Sequence, residues 1–239
     1  MKNKINVREY LESTYLKTDL DSGLSKSENR KIVEEIINEA IKYRFVLIML
    51  RPEYISLAKR LIEECNSKTL IGTVIDFPLG DSTTDQKLQE AKESISLGVN
   101  DLDFVADYNA FKAQLFDKFD NDIIQGTELA LNNNKNIKWI IETGALSKME
   151  IRKISSRINN LVETEFKGNT ENIYIKTSTG YYGGFGATIE DIKTIKSSVN
   201  NLKIKASGGI STLSQVYKMI NAGASRIGTS KALSIIKQI

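Results

Sequence analysis

The chain has 239 residues, of which 41% are hydrophobic and 26% are charged, and its net charge is +3. This composition fits one large α/β domain or two small ones. It does not indicate a nucleic-acid surface, because the 33 basic residues are dispersed among 30 acidic ones. It does not indicate a membrane span, because the longest strongly apolar run covers only residues 45–50. Histidine is absent, which excludes catalytic triads, metal sites and acid–base schemes that depend on imidazole.

Short apolar segments typical of strands alternate with amphipathic segments from one end of the chain to the other. The eight predicted strands cover residues 11–16, 45–50, 69–77, 101–105, 137–141, 173–175, 203–206 and 225–227. The predicted helices cover residues 29–41, 52–65, 84–97, 123–131, 147–158, 188–195, 212–222 and 230–239. Eight strand–helix units without a break in composition predict an α/β fold, a single-domain (β/α)8 TIM barrel over residues 1–239. An open doubly wound sheet is the alternative, but it usually has fewer units, and no Gly-x-Gly-x-x-Gly follows the first strand.

Cys65 is the only cysteine of the chain, which excludes internal disulfides. It recurs at helical spacing with Ala58, Leu61 and Ile62, and this spacing predicts that its side chain packs in the core rather than acting as a nucleophile. The first nine residues lack the apolar core of a signal peptide. Together these features predict a cytoplasmic protein.

Two lysines stand at the ends of consecutive predicted strands. Lys176 follows the apolar residues 173–175, and Lys205 closes the next strand. Neighbouring parallel strands lie about 5 Å apart, so the two amines would face the same end of the barrel, where like charges favour the loss of one proton. A neutral amine is what Schiff-base chemistry needs. Asp103 in the fourth strand would reach the same cavity; alone it could be a structural counter-ion, but with two lysines it predicts a proton relay.

Other polar residues follow the first, fourth and fifth strands. Thr14 and Lys17 come at the end of the first strand, and Asp107 and Glu142 come after the fourth and fifth. In a barrel these positions face a common mouth. We expect Glu142 to accept a loop hydrogen bond or to form a salt bridge, and Asp107 to be solvated.

Glycine-containing loops follow the last two strands and precede helices. They are Ser207-Gly208-Gly209 and Gly228-Thr229-Ser230. Glycines let backbone N–H groups approach a dianion closely, and a helix N-terminus adds a favourable dipole. Because barrels commonly bind phosphate at the loops after strands seven and eight, this pair of loops predicts a phosphate site.

The most specific motifs of the chain are Lys-Thr-Ser-Thr-Gly at 176–180 and Lys-Ala-Ser-Gly-Gly at 205–209. Further motifs lie at residues 77–80, 101–105, 141–146, 186–188 and 222–230. With these motifs, which cover most of the chain from about residue 70 on, the chain resembles the 2-deoxy-D-ribose-5-phosphate aldolases, a family of class I, Schiff-base aldolases.

The resemblance implies a (β/α)8 barrel that cleaves 2-deoxyribose 5-phosphate reversibly to acetaldehyde and glyceraldehyde 3-phosphate, in nucleoside breakdown. It implies that Lys176 forms the Schiff base, that Lys205 lowers the pKa of Lys176, and that Asp103 relays protons. The implied phosphate contacts are Gly180, Gly208, Gly209, Gly228 and Ser230. We expect Thr14 and Thr179 to hold the water of the proton relay. The implied partner is a small phosphorylated sugar bound without metal or other cofactor, and the implied assembly is a homodimer or a homotetramer.

The N-terminal third departs from the family pattern at several positions. Glu12 stands where an aspartate is usual, Met49 where a cysteine is frequent, Asp76 where a glycine precedes Phe-Pro, and Asp107 where an asparagine is frequent. Two alternatives therefore stay open. One is a Schiff-base aldolase for another phosphorylated sugar, and the other is a catalytically silent barrel that binds a sugar phosphate; the presence of both lysines disfavours the silent barrel.

Overall fold

Eight parallel strands close into a barrel in the computed structural model, which describes residues 5–239. The strands are β1 Leu11–Tyr15, β2 Leu47–Leu50, β3 Leu70–Ile75, β4 Asp101–Val105, β5 Asn136–Ile140, β6 Ile173–Lys176, β7 Lys203–Ser207 and β8 Arg226–Thr229. Each strand pairs with the next in the chain, and β8 pairs with β1 to close the ring. The predicted TIM barrel is confirmed, although residues 1–4 of the predicted domain lie outside the described range.

Helices follow the strands around the outside of the barrel. They are α1 Asp19–Ser22, α2 Lys26–Tyr43, α3 Ile55–Glu64, α4 Thr84–Leu97, α5 Tyr108–Lys112, α6 Phe116–Asn132, α7 Lys148–Glu165, α8 Ile189–Lys196, α9 Leu213–Ala222 and α10 Ala232–Ile236. The predicted bounds of α4 coincide with the observed ones, because a capping box of Thr83 with Gln86 begins the helix and Gly98 ends it in the left-handed region. Helix α2 begins earlier than predicted, since Ser25 and Glu28 form a further capping box. The short helices α1 and α5 were not predicted.

The prediction that Cys65 packs in the core is wrong. Helix α3 ends at Glu64, and Cys65 follows it in a non-helical conformation with an exposed side chain. The helical spacing from Ala58 therefore does not extend to residue 65.

The strands separate an outer apolar layer from an interior that is apolar on one side and charged on the other. Alternate strand residues such as Phe104 and Trp139 are fully buried in the core between barrel and helices. Inside the barrel, near β2 and β3, lies a smaller apolar cluster of Leu16, Leu47, Met49 and Val74. The rest of the interior holds charged side chains from β1 and β4 to β8: Glu12, Asp101, Asp103, Lys138, Lys176, Lys205 and the partly exposed Arg226.

Candidate active site

Asp103 lies at the centre of the charged interior and contacts three lysines. Its Oδ2 accepts hydrogen bonds from Lys176 Nζ at 2.8 Å and from Lys205 Nζ at 2.7 Å. Its Oδ1 accepts one from Lys138 Nζ at 2.9 Å. Lys176 and Lys205 are direct partners across the β6–β7 ladder, as two lysines at the same end of neighbouring strands should be. The structure therefore brings the three predicted catalytic residues into one hydrogen-bonded group.

Burial and neighbouring charges alter the protonation of this group. Burial lowers the pKa of Lys176 to about 8, helped by the charge of Lys205 and opposed by Asp103. Burial alone would raise the pKa of Asp103, but the charges of Lys138, Lys176 and Lys205 outweigh it and hold that pKa well below its usual range. An ionised carboxylate thus stands between two amines, one of which has a pKa lowered to about 8.

Lys138 is a third buried lysine that the sequence analysis did not single out. It lies in the middle of β5, fully buried, and donates to Asp101 Oδ2 at 2.7 Å as well as to Asp103. Burial lowers its pKa, but Asp101, Asp103 and Glu12 raise it by more, so the ammonium form is favoured. The available signal was a lysine inside an otherwise apolar strand, where it can be buried only with a carboxylate partner.

Glu12 closes the charged group on the side of β1. Lys205 Nζ donates to Glu12 Oε2, while Glu12 Oε1 lies 3.6 Å from both Lys138 Nζ and Arg226 Nε. The residue that departs from the usual aspartate therefore retains a buried carboxylate and contacts one of the two predicted catalytic lysines.

A cavity of about 550 Å³ opens at the C-terminal ends of β1, β6, β7 and β8. The five predicted phosphate contacts line it, and so do the two threonines predicted to hold water: Gly180, Gly208, Gly209, Gly228, Ser230, Thr14 and Thr179. Gly180, Gly208 and Gly209 have φ values of +84°, +91° and +72°, so side chains at these positions would be strained. The cavity is also lined by Lys17, Tyr181 and Lys231, of which only Lys17 was noted from the sequence.

Gly228 also makes room for the side chains of Lys205 and Ser207, which was not predicted from the sequence. A Cβ at this position would lie 2.9 Å from Lys205 Cε and would collide with the Ser207 hydroxyl. Gly228 therefore leaves the space in which the Lys205 side chain runs towards Asp103.

The two threonines predicted to hold water already have protein partners. Thr179 donates its hydroxyl to Glu142 Oε2, which also accepts the Thr179 N–H at 3.1 Å. This confirms the interpretation of Glu142 as a loop acceptor. Thr14 Oγ1 donates to the carbonyl of Glu12 at 3.1 Å, and Thr14 is half-buried at the cavity wall.

Asp107 was predicted to be solvated, and this is wrong. The residue is buried, accepts a hydrogen bond from the Ala110 N–H at 2.7 Å as the cap of α5, and pairs with Lys118 Nζ at 2.6 Å.

Asp76 stands before Phe-Pro, where the family pattern has a glycine, and its φ is +54°, a conformation that glycine adopts most easily. Its carboxylate is held by the Ser82 N–H at 3.0 Å and by the Ser82 hydroxyl at 2.6 Å, which stabilises the turn without glycine.

Comparison with known proteins gives a consistent result, although no family model matches the chain. A deoxyribose-phosphate aldolase from Dictyoglomus turgidum is 40% identical over 205 residues, which cover 85% of this chain and 87% of the relative. A deoxyribose-phosphate aldolase from Staphylococcus epidermidis is 36% identical over 234 residues, or 98% and 96% of the two chains. Among solved structures, one described as "QR15, an Aldolase" superposes with a TM-score of 0.83 at 33% identity, covering 98% of this chain and 96% of its own.

Proposed function

The chain belongs to the deoxyribose-phosphate aldolase family, and we propose that it cleaves 2-deoxy-D-ribose 5-phosphate reversibly into acetaldehyde and D-glyceraldehyde 3-phosphate, with Lys176 as the Schiff-base nucleophile. One oxygen of Asp103 bridges the amines of Lys176 and Lys205, at 2.8 and 2.7 Å. The catalytic roles that we assign to these three residues rest on this observation. Such a bridge offers a nucleophile, a cation that disfavours its protonation, and a carboxylate able to pass a proton between them.

The contacts of the two amines favour Lys176 as the one that loses its proton. Lys205 has two carboxylate partners, Glu12 and Asp103, whereas Lys176 has Asp103 alone. A buried ammonium with fewer counter-charges is less stable, so its proton is lost first. The pKa of Lys176, lowered to about 8 by burial and by Lys205, agrees with this order.

The proposed reaction begins with attack of the neutral Lys176 amine on C1 of the open-chain sugar. The carbinolamine loses water to give an iminium, which accepts electrons from the C2–C3 bond as that bond breaks. The C3 hydroxyl gives up its proton as it becomes the aldehyde of glyceraldehyde 3-phosphate, and the two-carbon fragment is left as an enamine on Lys176. Protonation of the enamine at C2 and hydrolysis of the resulting iminium release acetaldehyde. Asp103 and Lys205 are the groups within reach to carry these protons, directly or through water.

Borohydride reduction tests this assignment on the unaltered protein. With 2-deoxyribose 5-phosphate present, reduction should leave a stable adduct on the peptide that contains Lys176, detected by mass mapping. An adduct on Lys205 instead would reverse the proposed roles of the two lysines. Folded protein that gives no adduct would contradict the proposal for this substrate, and trapping with other phosphorylated sugars would then separate a different aldolase from a silent barrel.

Lys231 is proposed as a cation for the substrate phosphate. It is an exposed residue of the cavity wall directly after Ser230, and among residues 5–239 it has no carboxylate partner. Lys17 lies on the same wall but shares it with Asp21, whose pKa is lowered mainly by hydrogen bonds from Thr18 and to a smaller extent by the charges of Arg51 and Lys17. Lys231 is therefore the better candidate to meet a phosphate held by the glycine loops.

Lys231→Gln should raise KM for 2-deoxyribose 5-phosphate about tenfold, the expected effect of losing one charge-assisted hydrogen bond. Activity towards unphosphorylated 2-deoxyribose should not change, because that substrate has no anion to bind. Lys237→Gln is the matched control, an exposed lysine of the same C-terminal segment that does not line the cavity. Equal losses on both substrates would contradict a role for Lys231 in phosphate binding.

Cofactor, assembly and location stay predictions of this proposal. Between residues 5 and 239 no group of three or more Cys, Asp or Glu side chains is arranged to hold a metal ion. No helix in the same range is long and apolar enough to cross a bilayer. A metal-free reaction, a homodimer or homotetramer, and a cytoplasmic location are the expectations to test.

A further inference from the structure

The two proposed catalytic lysines belong to a buried charged layer that also holds Glu12, Asp101, Asp103, Lys138 and Arg226, and the proposed reaction does not use all of these side chains. Lys138 and Glu12 belong to this layer, and each contacts a residue that the proposed function treats as catalytic. We propose that Glu12 and Lys138 are positioning residues that determine which of the two lysines acts as the nucleophile. The inference rests on the proposed function, since it concerns the protonation of Lys176 and Lys205 in that reaction.

Glu12 pairs with only one of the two lysines. Its Oε2 accepts a hydrogen bond from Lys205 Nζ but is not a partner of Lys176. Both amines share Asp103 Oδ2, so without Glu12 each would have the same single carboxylate. The negative charge of Glu12 is thus the difference that keeps Lys205 protonated while Lys176 gives up its proton.

Lys138 fixes the carboxylate that both lysines share. It holds Asp103 Oδ1 at 2.9 Å and leaves Oδ2 for Lys176 and Lys205. The same Nζ is bonded to Asp101 at 2.7 Å and lies 3.6 Å from Glu12, so three carboxylates hold Lys138 in place. Its charge also disfavours a further cation nearby, and this too promotes the neutral form of Lys176.

The balance of charge inside the barrel supports the same conclusion. Three fully buried carboxylates face three buried lysines, and Arg226 adds a further cation 3.6 Å from Glu12. The layer therefore has an excess of positive charge unless one lysine is neutral, and Lys176 has the fewest carboxylate contacts. The charged or titratable groups in this layer or facing it are Glu12 on β1, Asp101 and Asp103 on β4, Lys138 on β5, Glu142 after β5, Tyr174 and Lys176 on β6, Lys203 and Lys205 on β7, and Arg226 on β8.

Borohydride trapping with 2-deoxyribose 5-phosphate, measured from pH 6 to 10 with peptide mapping, tests the inference. In the unaltered protein, adduct formation should rise with a midpoint near pH 8, on Lys176 alone. Glu12→Gln should lower the midpoint by about one unit and place part of the adduct on Lys205, because the two amines become nearly equivalent. Lys138→Met should raise the midpoint by about one unit, because a cation has been removed.

The opposite directions of the two shifts separate this inference from simple damage to the fold, which would slow trapping in both variants without moving the midpoint. Glu12→Asp retains the charge and should restore trapping on Lys176. If Lys138→Met does not fold, as judged by its thermal unfolding, Arg226→Gln replaces it; this partly exposed site should raise the midpoint by about half a unit. Unmoved midpoints with all adduct on Lys176 would overturn the inference, whereas absence of an adduct in the unaltered protein would overturn the proposed function first.

Discussion

Lys176→Met is expected to abolish cleavage of 2-deoxyribose 5-phosphate, with a fall in kcat on the order of 10⁶-fold, as for the loss of other covalent nucleophiles. Methionine fills similar space without an amine, so the Schiff base cannot form at this position. Lys205 is not expected to substitute for it, because Lys205 pairs with two carboxylates, those of Glu12 and Asp103. A coupled assay for glyceraldehyde 3-phosphate measures the loss.

The fold should survive this change. Of the three lysines inside the barrel, Lys176 has the fewest carboxylate contacts, and removing it leaves Lys138, Lys205 and Arg226 opposite Glu12, Asp101 and Asp103. The melting temperature should therefore stay within a few degrees of the unaltered protein. Lys203→Met is the control: Lys203 lies two residues before Lys205 on β7, is only half-buried, and packs over the Tyr174 ring at 5.4 Å. Equal activity losses in Lys176→Met and Lys203→Met would contradict a nucleophile at Lys176.

The catalytic group was predictable from the sequence where strand ends could be located. Lys176 ends β6, and Lys205 lies beside it two residues before the end of β7; parallel strands place their C-terminal ends at one mouth. The glycines of the last two loops could be identified in the same way, and all of them line the cavity. These predictions needed only the order of the strands and the location of their C-terminal ends, which the alternation of strand and helix indicates.

The supporting charges were not predictable, because they depend on contacts between distant parts of the chain. Glu12 and Lys205 are 193 positions apart, and Lys138 meets Asp103 across 35 positions. Glu12 was noted only as a departure from an aspartate, because nothing in the sequence around residue 12 indicates its contact with Lys205. The prediction for Asp107 failed for a different reason: its partners are near in the chain, but the short helix α5 that it caps was not predicted, and neither was its pair with Lys118. The residues next to a charged side chain in the sequence do not indicate which side chain it pairs with in the fold.

Asp103→Asn is expected to destabilise the protein by about 3–5 kcal/mol and to reduce kcat by about 10²–10⁴-fold. The stability loss arises because the change removes a fully buried anion and leaves the Lys138, Lys176 and Lys205 ammonium groups with one counter-charge fewer. The activity loss arises because an amide cannot accept and return a proton. Urea unfolding at pH 7 and steady-state kinetics measure the two effects.

The pH dependence of the destabilisation provides an independent check. The pKa of Asp103 in the folded protein lies well below its usual range, because three lysine charges outweigh burial. Its contribution is therefore fully present above the unfolded value of about 3.9 and is lost as pH falls towards the folded value. The difference in unfolding free energy between the two proteins should therefore be largest near pH 5. It should narrow as pH rises towards about 8, because Asp103 raises the pKa of Lys176 in the unaltered protein, so Lys176 of the variant releases its proton at a lower pH and relieves the excess charge.

Asp107→Asn is the matched control for this variant. It removes a buried carboxylate that follows the same strand, but the partner Lys118 is 44% exposed and can turn to solvent, and an asparagine can still cap α5. We expect a loss of about 1 kcal/mol or less and unchanged kinetics. If Asp103→Asn cost no more than this control, the central carboxylate would not be what holds the three lysines together. If it lost stability but kept its kcat, Asp103 would be a structural counter-ion only, and the proton relay would have to pass through other groups.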